Sequence, residues 1–222
     1  MKILIACEES QAVCKEMRRL GHECYSCDII ECSGGHPEWH IMQDVIPLLN
    51  GNCTFKTMDG IEHTISEKWD MIIAHPPCTY LSNAGARFLY PKGILNEERL
   101  RKGIMAKDFF MAFYYANCEK IAIENPVPSS VYMMPKYSQA IQPYQFGHPF
   151  KKKTCLWLKG LPSLSPTNIV ETPQSTKIAG NWFNKGGKDR QRNRAKTFPG
   201  IARAMAEQWA GQAEDGDNHA ES

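Results

Sequence analysis

Three short apolar runs, each followed at once by polar residues, constrain the fold of this sequence most strongly. They are KILIAC (2–7), WDMIIAH (69–75) and EKIAIENP (119–126). Runs of this length and β-branched content are typical of strands buried on both faces, as in a parallel sheet. A helix over 10–20, with Ser10 as its N-cap and Gly21 as its C-terminal stop, is predicted before the strand in HECYSCDII (22–30). We therefore predict an α/β fold with a mostly parallel central sheet flanked by helices.

The rest of the sequence adds smaller elements to this sheet. CTFKTMDGIEHTIS (53–66) carries Asp59-Gly60 between two alternating runs and predicts a hairpin. A helix with an apolar, aromatic face is expected over 96–117, a strand over 153–162, and a last helix over 199–212 that begins at Pro199. Residues 163–197 are rich in Pro, Ser, Thr, Asn, Gly and basic side chains, which indicates a long surface excursion.

The composition excludes several classes of protein. Of the 222 residues, 42% are apolar and 23% are charged, which is ordinary for a globular chain long enough for one α/β domain. No apolar run reaches the length of a membrane span, and the first residues lead straight into a strand, so we expect neither a membrane segment nor a signal peptide. Nine cysteines at irregular spacing, without an export signal, indicate reduced thiols and a cytoplasmic location.

Charge is unevenly distributed along the chain. Because 214–222 hold four acidic residues and neither Lys nor Arg, the net charge of +2 for the whole chain leaves +6 for residues 1–213. Such a body is compatible with a polyanionic partner. NKGGKDRQRNRAK (184–196) would suit phosphate contacts, although a solvated basic loop explains it almost as well. We predict a single domain over 1–213 and a disordered acidic tail over 214–222.

Polar side chains collect where the predicted strands end. CEES (7–10) follows the first strand, Asp28 ends the second, HPPC (75–78) follows the third and Glu124-Asn125 closes the fourth. In open α/β sheets, ligands bind outside the carboxyl ends of the strands. This coincidence predicts an active site at that edge of the sheet.

Cys78 and Glu124 are the two side chains at this edge best suited to chemistry. In AHPPCTYLSNAG (74–85), two prolines stop a core strand and present a thiol at the start of a loop, which gives a nucleophile exposure and a fixed position. Burial of Glu124 is expected to raise its pKa, so that it donates a proton near neutrality. A buried, inert Cys78, a purely structural Glu124 and an Asp28 that only ends a strand are the simpler alternatives.

PPCTYLSNAGAR (76–87) resembles the catalytic loop of the DNA (cytosine-5)-methyltransferases, whose pattern is roughly P-C-Q-x-F-S-x-A-G-x-R. Cys78 falls on the nucleophile of that pattern, Ser82 on its serine and Arg87 on its basic residue. IENP (123–126) is similar to the family's E-N-V element, with Glu124 on the acid that contacts cytosine.

Weaker matches follow the same order along the chain. HIMQDVIPLL (40–49) is similar to the family's G-D-I element, with Asp44 at the adenine of S-adenosylmethionine. KKKTCLW (151–157) stands where the family has Q-R-R-x-R-x-F, with Lys152 or Lys153 near the target base. TFPGIARAMAEQW (197–209) is similar to the closing element that packs beside the cofactor.

The resemblance implies a Rossmann-like, S-adenosylmethionine-dependent methyltransferase fold and DNA as the partner, and it assigns roles to residues. It implies no metal ligand. The implied catalytic residues are Cys78, Glu124 and Asn125. The implied cofactor-binding residues are Cys7, Glu8, Ser10, Asp28, Asp44 and Pro76. The implied nucleic-acid-binding residues are Ser82, Arg87, Lys152 and Lys153, together with Lys188, Arg190, Arg192 and Arg194 of the basic stretch.

The sequence departs from the family pattern in three places. The cofactor loop F-x-G-x-G-G is ACEESQAV (6–13), which has no glycine. Thr79 stands where the family has Gln after the nucleophile, and at most 163–197 is available in place of a large target-recognition domain. We therefore expect a compact member of the kind carried by phages or prophages, acting as a monomer or weak dimer.

The resemblance also implies a covalent mechanism. The Cys78 thiolate adds to carbon-6 of cytosine while Glu124 supports protonation at nitrogen-3, and carbon-5 then becomes nucleophilic enough to accept a methyl group. In a duplex, the base must first be flipped out of the stack.

Three other interpretations compete with this one. Cys24, Cys27, Cys32, His36 and His40 have a spacing that could bind zinc, but Cys24 and Cys27 lie in a predicted strand and point to opposite faces. The second interpretation takes HPPC (75–78) as a variant of the D/N-P-P-Y/F loop of amino-methyltransferases, which act on adenine or cytosine without a thiol, although His75 replaces Asp or Asn poorly. A methyltransferase-like module that binds nucleic acid without activity is the third alternative.

Overall fold

A seven-stranded sheet forms the middle layer of the protein. The computed structural model describes residues 1–175 and 196–213, and within them the strands follow one another across this sheet in the order β3 (His40–Met42), β2 (Glu23–Asp28), β1 (Lys2–Ala6), β6 (Met71–Ala74), β7 (Lys120–Pro126), β10 (Thr154–Lys159) and β8 (Gln139–Ile141). The first five are parallel, whereas β10 is antiparallel to both β7 and β8. The mostly parallel α/β sheet predicted from the apolar runs is confirmed, and the fold is Rossmann-like.

The strand order changes direction between β1 and β6. The chain moves outward from β1 to β2 and β3, and then returns to the other side of β1 to form β6 and β7. Loops that leave neighbouring strands in opposite directions open a crevice at such a switch point, where α/β proteins bind ligands.

The α-helices in the described residues are α1 (Ala12–Arg19), α2 (Asn83–Ala86), α3 (Glu97–Tyr114) and α4 (Pro199–Met205), and a π-helical turn, Ala206–Ala210, continues α4. The helices expected over 10–20, 96–117 and 199–212 are confirmed with shorter bounds, whereas α2 was not predicted. Gly21, with φ of 85°, ends α1 as expected. At the start of α3, the side-chain oxygen of Asn96 accepts a hydrogen bond from the backbone N–H of Arg99 (3.0 Å).

Alternate residues of the central strands fill two apolar layers, one on each face of the sheet. Leu4 and Ile72 belong to the layer that contains Phe110 of α3. Ile3 and Ile73 belong to the opposite layer, which contains residues of α1 and α4. The helices therefore cover both faces of the sheet, and burial of the strands on both faces explains their unbroken apolar sequences.

The start of α1 differs from the prediction that Ser10 is its N-cap. Gln11 occupies that position in a left-handed conformation, with φ of 56°, and makes no side-chain capping bond. Instead, the carboxylate of the buried Glu8 accepts hydrogen bonds from the backbone N–H groups of Val13 (2.7 Å) and Cys14 (3.2 Å). A carboxylate at this position satisfies N–H groups that a helix leaves unpaired and interacts favourably with the helix dipole.

Smaller elements lie outside the central sheet. The predicted hairpin is confirmed as antiparallel β4 (Cys53–Lys56) and β5 (Glu62–Ile65), with Gly60 at φ of 86° in its turn. The strand expected over 153–162 is confirmed as β10. It ends before Gly160, where a Cβ atom would lie 2.2 Å from the carbonyl oxygen of Glu119. β9 (Phe150–Lys151) pairs in parallel with β11 (Gln174–Ser175), which belongs to the predicted surface excursion.

The described residues include only part of that excursion. Residues 176–195, with most of the basic stretch, and the acidic tail 214–222 lie outside them. Within the described ranges, no helix combines the length and the apolar character needed to cross a membrane.

The capping role of Glu8 predicts the effect of its substitution on stability. Glu8→Ala leaves two backbone N–H groups without their acceptor, so we expect the free energy of unfolding, measured by urea denaturation at pH 7, to fall by about 1–3 kcal/mol. Glu98→Ala is the control, because Glu98 lies in the first turn of α3 and forms an exposed ion pair with Lys102, and it should change the free energy of unfolding much less than Glu8→Ala does. Equal losses for the two variants would contradict the capping role.

Candidate active site

Three strands bring the predicted site residues level with one another. Ala74 of β6 pairs with Ala6 of β1 on one side and with Ile123 of β7 on the other. The residues that follow these three along the chain are Cys7, His75 and Glu124. Because the strands are parallel, their polar ends meet at the edge beside the switch point, as the sequence predicts.

His75 and Glu124 form a hydrogen-bonded ion pair at this edge. The Nδ1 atom of His75 lies 3.0 Å from the Oε2 atom of Glu124, and the two side chains are only 10% and 15% exposed. The hydroxyl of Thr197, from the segment before α4, donates a hydrogen bond to the same oxygen (3.3 Å). The carboxylate is therefore fixed in position by one group directly after β6 and one from the segment before α4.

The pKa of Glu124 is lowered, which corrects the expectation that burial would raise it. Burial alone does raise it, but the hydrogen bond and charge of His75, with the positive charge of Lys152, outweigh that effect. Burial likewise lowers the pKa of His75, but the hydrogen bond and charge of Glu124 and the charge of Glu8 outweigh it, so that the pKa of His75 is raised. At neutral pH, Glu124 is therefore a carboxylate and has no proton of its own to donate.

The loop that carries Cys78 is attached directly to β7. Cys78 is exposed, and Pro76, two residues before it, is buried. The side-chain amide of the buried Asn125 donates a hydrogen bond to the carbonyl oxygen of Pro76 (2.8 Å). Asn125 is a predicted catalytic residue and Pro76 a predicted cofactor-binding residue. Their contact holds the start of the loop that carries Cys78, here called the thiol loop, beside Glu124.

Arg99 of α3 also stabilises the thiol loop. Its guanidinium donates hydrogen bonds to the carbonyl oxygens of Thr79 (3.0 Å) and Gly85 (3.1 Å), one on each side of Ser82. Ser82, predicted to bind nucleic acid, is the N-cap of α2, and its hydroxyl accepts a hydrogen bond from the backbone N–H of Gly85 (3.3 Å). The loop is therefore held at both ends, with the thiol at its exposed start.

A cavity of about 330 Å³ lies between this loop and the start of α3. It is lined by Tyr80, Phe88, Pro91, Asn96, Glu98, Arg99 and Lys102. The guanidinium of Arg99 stands over the rings of Tyr80 (5.1 Å) and Phe88 (5.3 Å), and that of Arg87 stands over Phe88 (4.6 Å). Aromatic rings and cations in one cavity can contact bases and phosphates at the same time.

The segment after β1 replaces the expected glycines with strained residues. Cys7 has φ of 58° and Gln11 has φ of 56°, in the left-handed region where glycine is usual. The side chain of Gln11 donates to the carbonyl oxygen of His36 (2.8 Å) and accepts from its N–H (3.1 Å), which explains why glutamine holds this position. The Ser10 hydroxyl accepts a 3.4 Å hydrogen bond from the N–H of Ala12, and Glu8 points into the protein. The Glu8 side chain is thus engaged within the protein, and its contact with a cofactor stays a prediction.

The ends of β2 and β3 form the part of the edge that fits an adenosine group. Asp28 ends β2 and is half-buried, and burial raises its pKa. Asp44 is exposed after β3, and beside the two acids lie the apolar side chains of Ile29 and Met42, which are 76% and 50% exposed. Carboxylates can accept hydrogen bonds from ribose hydroxyls and a purine amine, and apolar side chains can cover the purine ring. These acceptors and apolar side chains could hold the adenosine end of S-adenosylmethionine, whereas Glu8 already occupies N–H groups at the start of α1 that could hold its carboxylate.

The predicted nucleic-acid-binding residues are dispersed. Arg87 is exposed beside the cavity. Lys152 and Lys153 lie between β9 and β10. Lys152 is close enough to influence Glu124, and Lys153 donates a 3.4 Å hydrogen bond to the hydroxyl of Tyr137. Lys188, Arg190, Arg192 and Arg194 lie outside the described residues.

Four residues of this site have no assigned role in the sequence prediction, namely His75, Thr197, Arg99 and Gln11, although His75 begins HPPC and Thr197 begins TFPGIARAMAEQW. The register of the predicted strands could have indicated His75, because it directly follows an apolar run that pairs with the strand of Glu124. Thr197 and Arg99 act over separations of 73 and 20 residues, and no local pattern indicates which groups they contact. Among residues 1–175 and 196–213, no group of three or more His, Cys, Asp or Glu side chains is arranged to hold a metal ion.

Comparison with known proteins gives limited similarity. No protein-family model and no curated protein matches this chain. Among solved structures, the chain is similar to a crystal structure from E. coli that is provisionally described as a DNA modification methyltransferase encoded within a prophage, with 15% sequence identity and a TM-score of 0.43. The match covers 81% of this chain and 54% of that one, so the chain spans about half the length of the structure that it matches.

Proposed function

We propose that this protein transfers a methyl group from S-adenosylmethionine to carbon-5 of cytosine in DNA. The observation that carries the proposal is that the loop with the exposed Cys78 is hydrogen-bonded to the strand end that carries the buried Glu124, at the switch point of the sheet. Cys78 begins a loop whose base is bonded to Asn125, and Asn125 directly follows Glu124. A nucleophile and an acid–base group on adjacent strand ends are the pair that addition to a pyrimidine ring requires.

The chain's own residues would divide the reaction between them. The Cys78 thiolate would attack carbon-6 of the cytosine ring, and Glu124 would hydrogen-bond to nitrogen-3. S-adenosylmethionine, when bound, supplies an electrophilic methyl group. Loss of the carbon-5 proton then restores the ring double bond and expels the Cys78 thiolate, which returns the protein to its starting state.

Two parts of the structure would hold the substrates. Asp28 and Asp44, with the exposed Ile29 beside them, would hold the adenosine group of the methyl donor. The cavity beside the thiol loop, with Arg99 among its lining residues, would take DNA next to the target base. Exposed Arg87 at the same cavity supports this assignment, because cations there can contact phosphates.

The amino-methyltransferase alternative gains less support. In that mechanism the first residue of HPPC would hold the amine of the target base. The His75 side chain is instead bonded to Glu124 and is only 10% exposed, so it offers little surface to a base. The exposed thiol three residues later would also have no task in that reaction.

Methyl transfer should depend on Cys78. The full chain would be incubated with duplex and heat-denatured DNA of mixed sequence and methyl-labelled S-adenosylmethionine, and the nucleosides analysed for 5-methylcytosine. We expect Cys78→Ala to lower the rate by at least about 10³-fold, because no other side chain replaces the nucleophile. Cys53→Ala, in the separate hairpin, is the matched control and should keep the wild-type rate.

Two outcomes of this experiment would contradict the proposal. Label that survives Cys78→Ala at the wild-type rate, recovered in N4-methylcytosine or N6-methyladenine, would establish the amino-methyltransferase alternative. Absence of label from the wild-type protein, together with no binding of S-adenosylmethionine in calorimetry, would favour a non-enzymatic nucleic-acid-binding module.

Binding of the methyl donor should depend on Asp28. Asp28→Ala removes the acceptor proposed for the ribose hydroxyls, so we expect the Kd for S-adenosylmethionine in calorimetry to rise about 10- to 100-fold. Asp108→Ala, at an exposed position of α3, is the control and should leave the Kd unchanged. An unchanged Kd for Asp28→Ala would place the adenosine group elsewhere.

A further inference from the structure

The proposed reaction needs a proton at nitrogen-3 that Glu124 does not carry. Cytosine nitrogen-3 must become protonated as Cys78 adds to carbon-6, since the ring otherwise accumulates negative charge. Glu124 is ionised at neutral pH, because the hydrogen bond and charge of His75 outweigh its burial and lower its pKa. The proton must therefore reach Glu124 from a neighbouring group.

His75 is the one hydrogen-bonded neighbour of the Glu124 carboxylate, among those that the structure describes, that can exchange a proton near neutrality. The other hydrogen-bonding neighbour is the Thr197 hydroxyl, which stays protonated. The imidazole lies 3.0 Å from the carboxylate, a distance across which a proton moves without rearrangement of either side chain.

The charges around the imidazole favour its cationic form. Glu8, from the segment after β1, and Glu124, from β7, act on it with negative charge, whereas Lys152, from the segment before β10, opposes them. The Nε2 atom of His75 is buried and has no hydrogen-bond partner among the described residues. The ring is thus held through Nδ1 alone, with its exchangeable proton directed at Glu124.

We propose that His75 is a positioning residue that supplies, through Glu124, the proton taken up by nitrogen-3 of the target cytosine. This inference rests on the proposed function. It accounts for a buried imidazole in a mechanism that otherwise gives it no task.

The transfer balances in protons and electrons. As the Cys78 sulfur–carbon-6 bond forms from the thiolate's electron pair, ring electrons move to nitrogen-3, which takes a proton from the Glu124 carboxyl group. Glu124 receives that proton from Nδ1 of His75, which becomes neutral. After carbon-5 has accepted the methyl group of S-adenosylmethionine and lost its own proton to solvent, the thiolate leaves, and the nitrogen-3 proton returns to His75 through Glu124.

The first test is the pH profile of methyl transfer in single turnovers of the full chain. A raised His75 pKa means that the imidazolium persists above the ordinary value of about 6.5 and is lost as the pH rises through the folded-state value. We expect the wild-type rate to fall with that loss. His75→Asn keeps a neutral donor near the position of Nδ1 but cannot supply the proton, so its rate should be about 10²-fold lower and should lack the high-pH fall.

The matched control is His63→Gln. His63 lies in β5 and contacts Tyr25 and Thr57, so this variant should retain the wild-type rate and pH profile. Wild-type rate and profile in His75→Asn would overturn the inference and leave the proposed function intact. A wild-type protein that forms no 5-methylcytosine would overturn both.

The second test does not require activity. NMR of protein with isotope-labelled histidine would follow the imidazole of His75, assigned by its absence in His75→Asn. We expect it to titrate above the ordinary value and to shift to lower pH in Glu124→Gln, which removes the negative partner. His36, which pairs with Glu38 on the surface, is the internal reference that Glu124→Gln should leave unchanged. A His75 that titrates at or below the ordinary value, unaffected by Glu124→Gln, would overturn the inference even if His75→Asn folds poorly.

Discussion

Parallel pairing of β1, β6 and β7 is the constraint on which the whole candidate site depends. Each strand is buried on both faces, so its apolar residues fix the register, and a slip of one residue would send every side chain to the opposite layer. With the register fixed, the residues that directly follow the paired Ala6, Ala74 and Ile123 must lie side by side. Cys7, His75 and Glu124 are therefore brought together by packing of the core, and not by any attraction among themselves.

The pairing of His75 with Glu124 decides what that edge can do chemically. An isolated carboxyl group buried there would be neutral and could act as an acid directly. With an imidazole 3.0 Å away, the favourable state is instead a pair of opposite charges, each of which makes burial of the other tolerable. The exchangeable proton of the pair therefore resides on the imidazole of His75 and not on the carboxyl group of Glu124. Burial of a carboxyl group alone therefore does not identify a proton donor, because a side chain next to the neighbouring strand determines its protonation.

The sequence allowed prediction of those features that depend on neighbouring residues. Apolar runs gave the central strands, the Asp59-Gly60 pair gave the hairpin turn, and Pro199 marked the start of α4. Features that depend on distant contacts were missed. Hydrogen bonds from Arg99 join α3 to the thiol loop, and the hydroxyl of Thr197 donates a hydrogen bond to Glu124 from a distant part of the chain.

The pKa of Glu124 was predicted in the wrong direction for the same reason. Its burial could be inferred from the apolar strand around it, whereas the partner that reverses the effect of burial lies in another strand. The Ser10 cap was wrong for a different reason, because Glu8 reaches the same N–H groups with a longer, charged side chain.

The buried carboxyl group of Glu8 has a consequence for what can bind at the start of α1. Its two oxygens already accept hydrogen bonds from the N–H groups of Val13 and Cys14, which a helix start would otherwise offer to an anion. A phosphate or carboxylate of a ligand beside β1 would therefore have to find its hydrogen-bond donors on other residues.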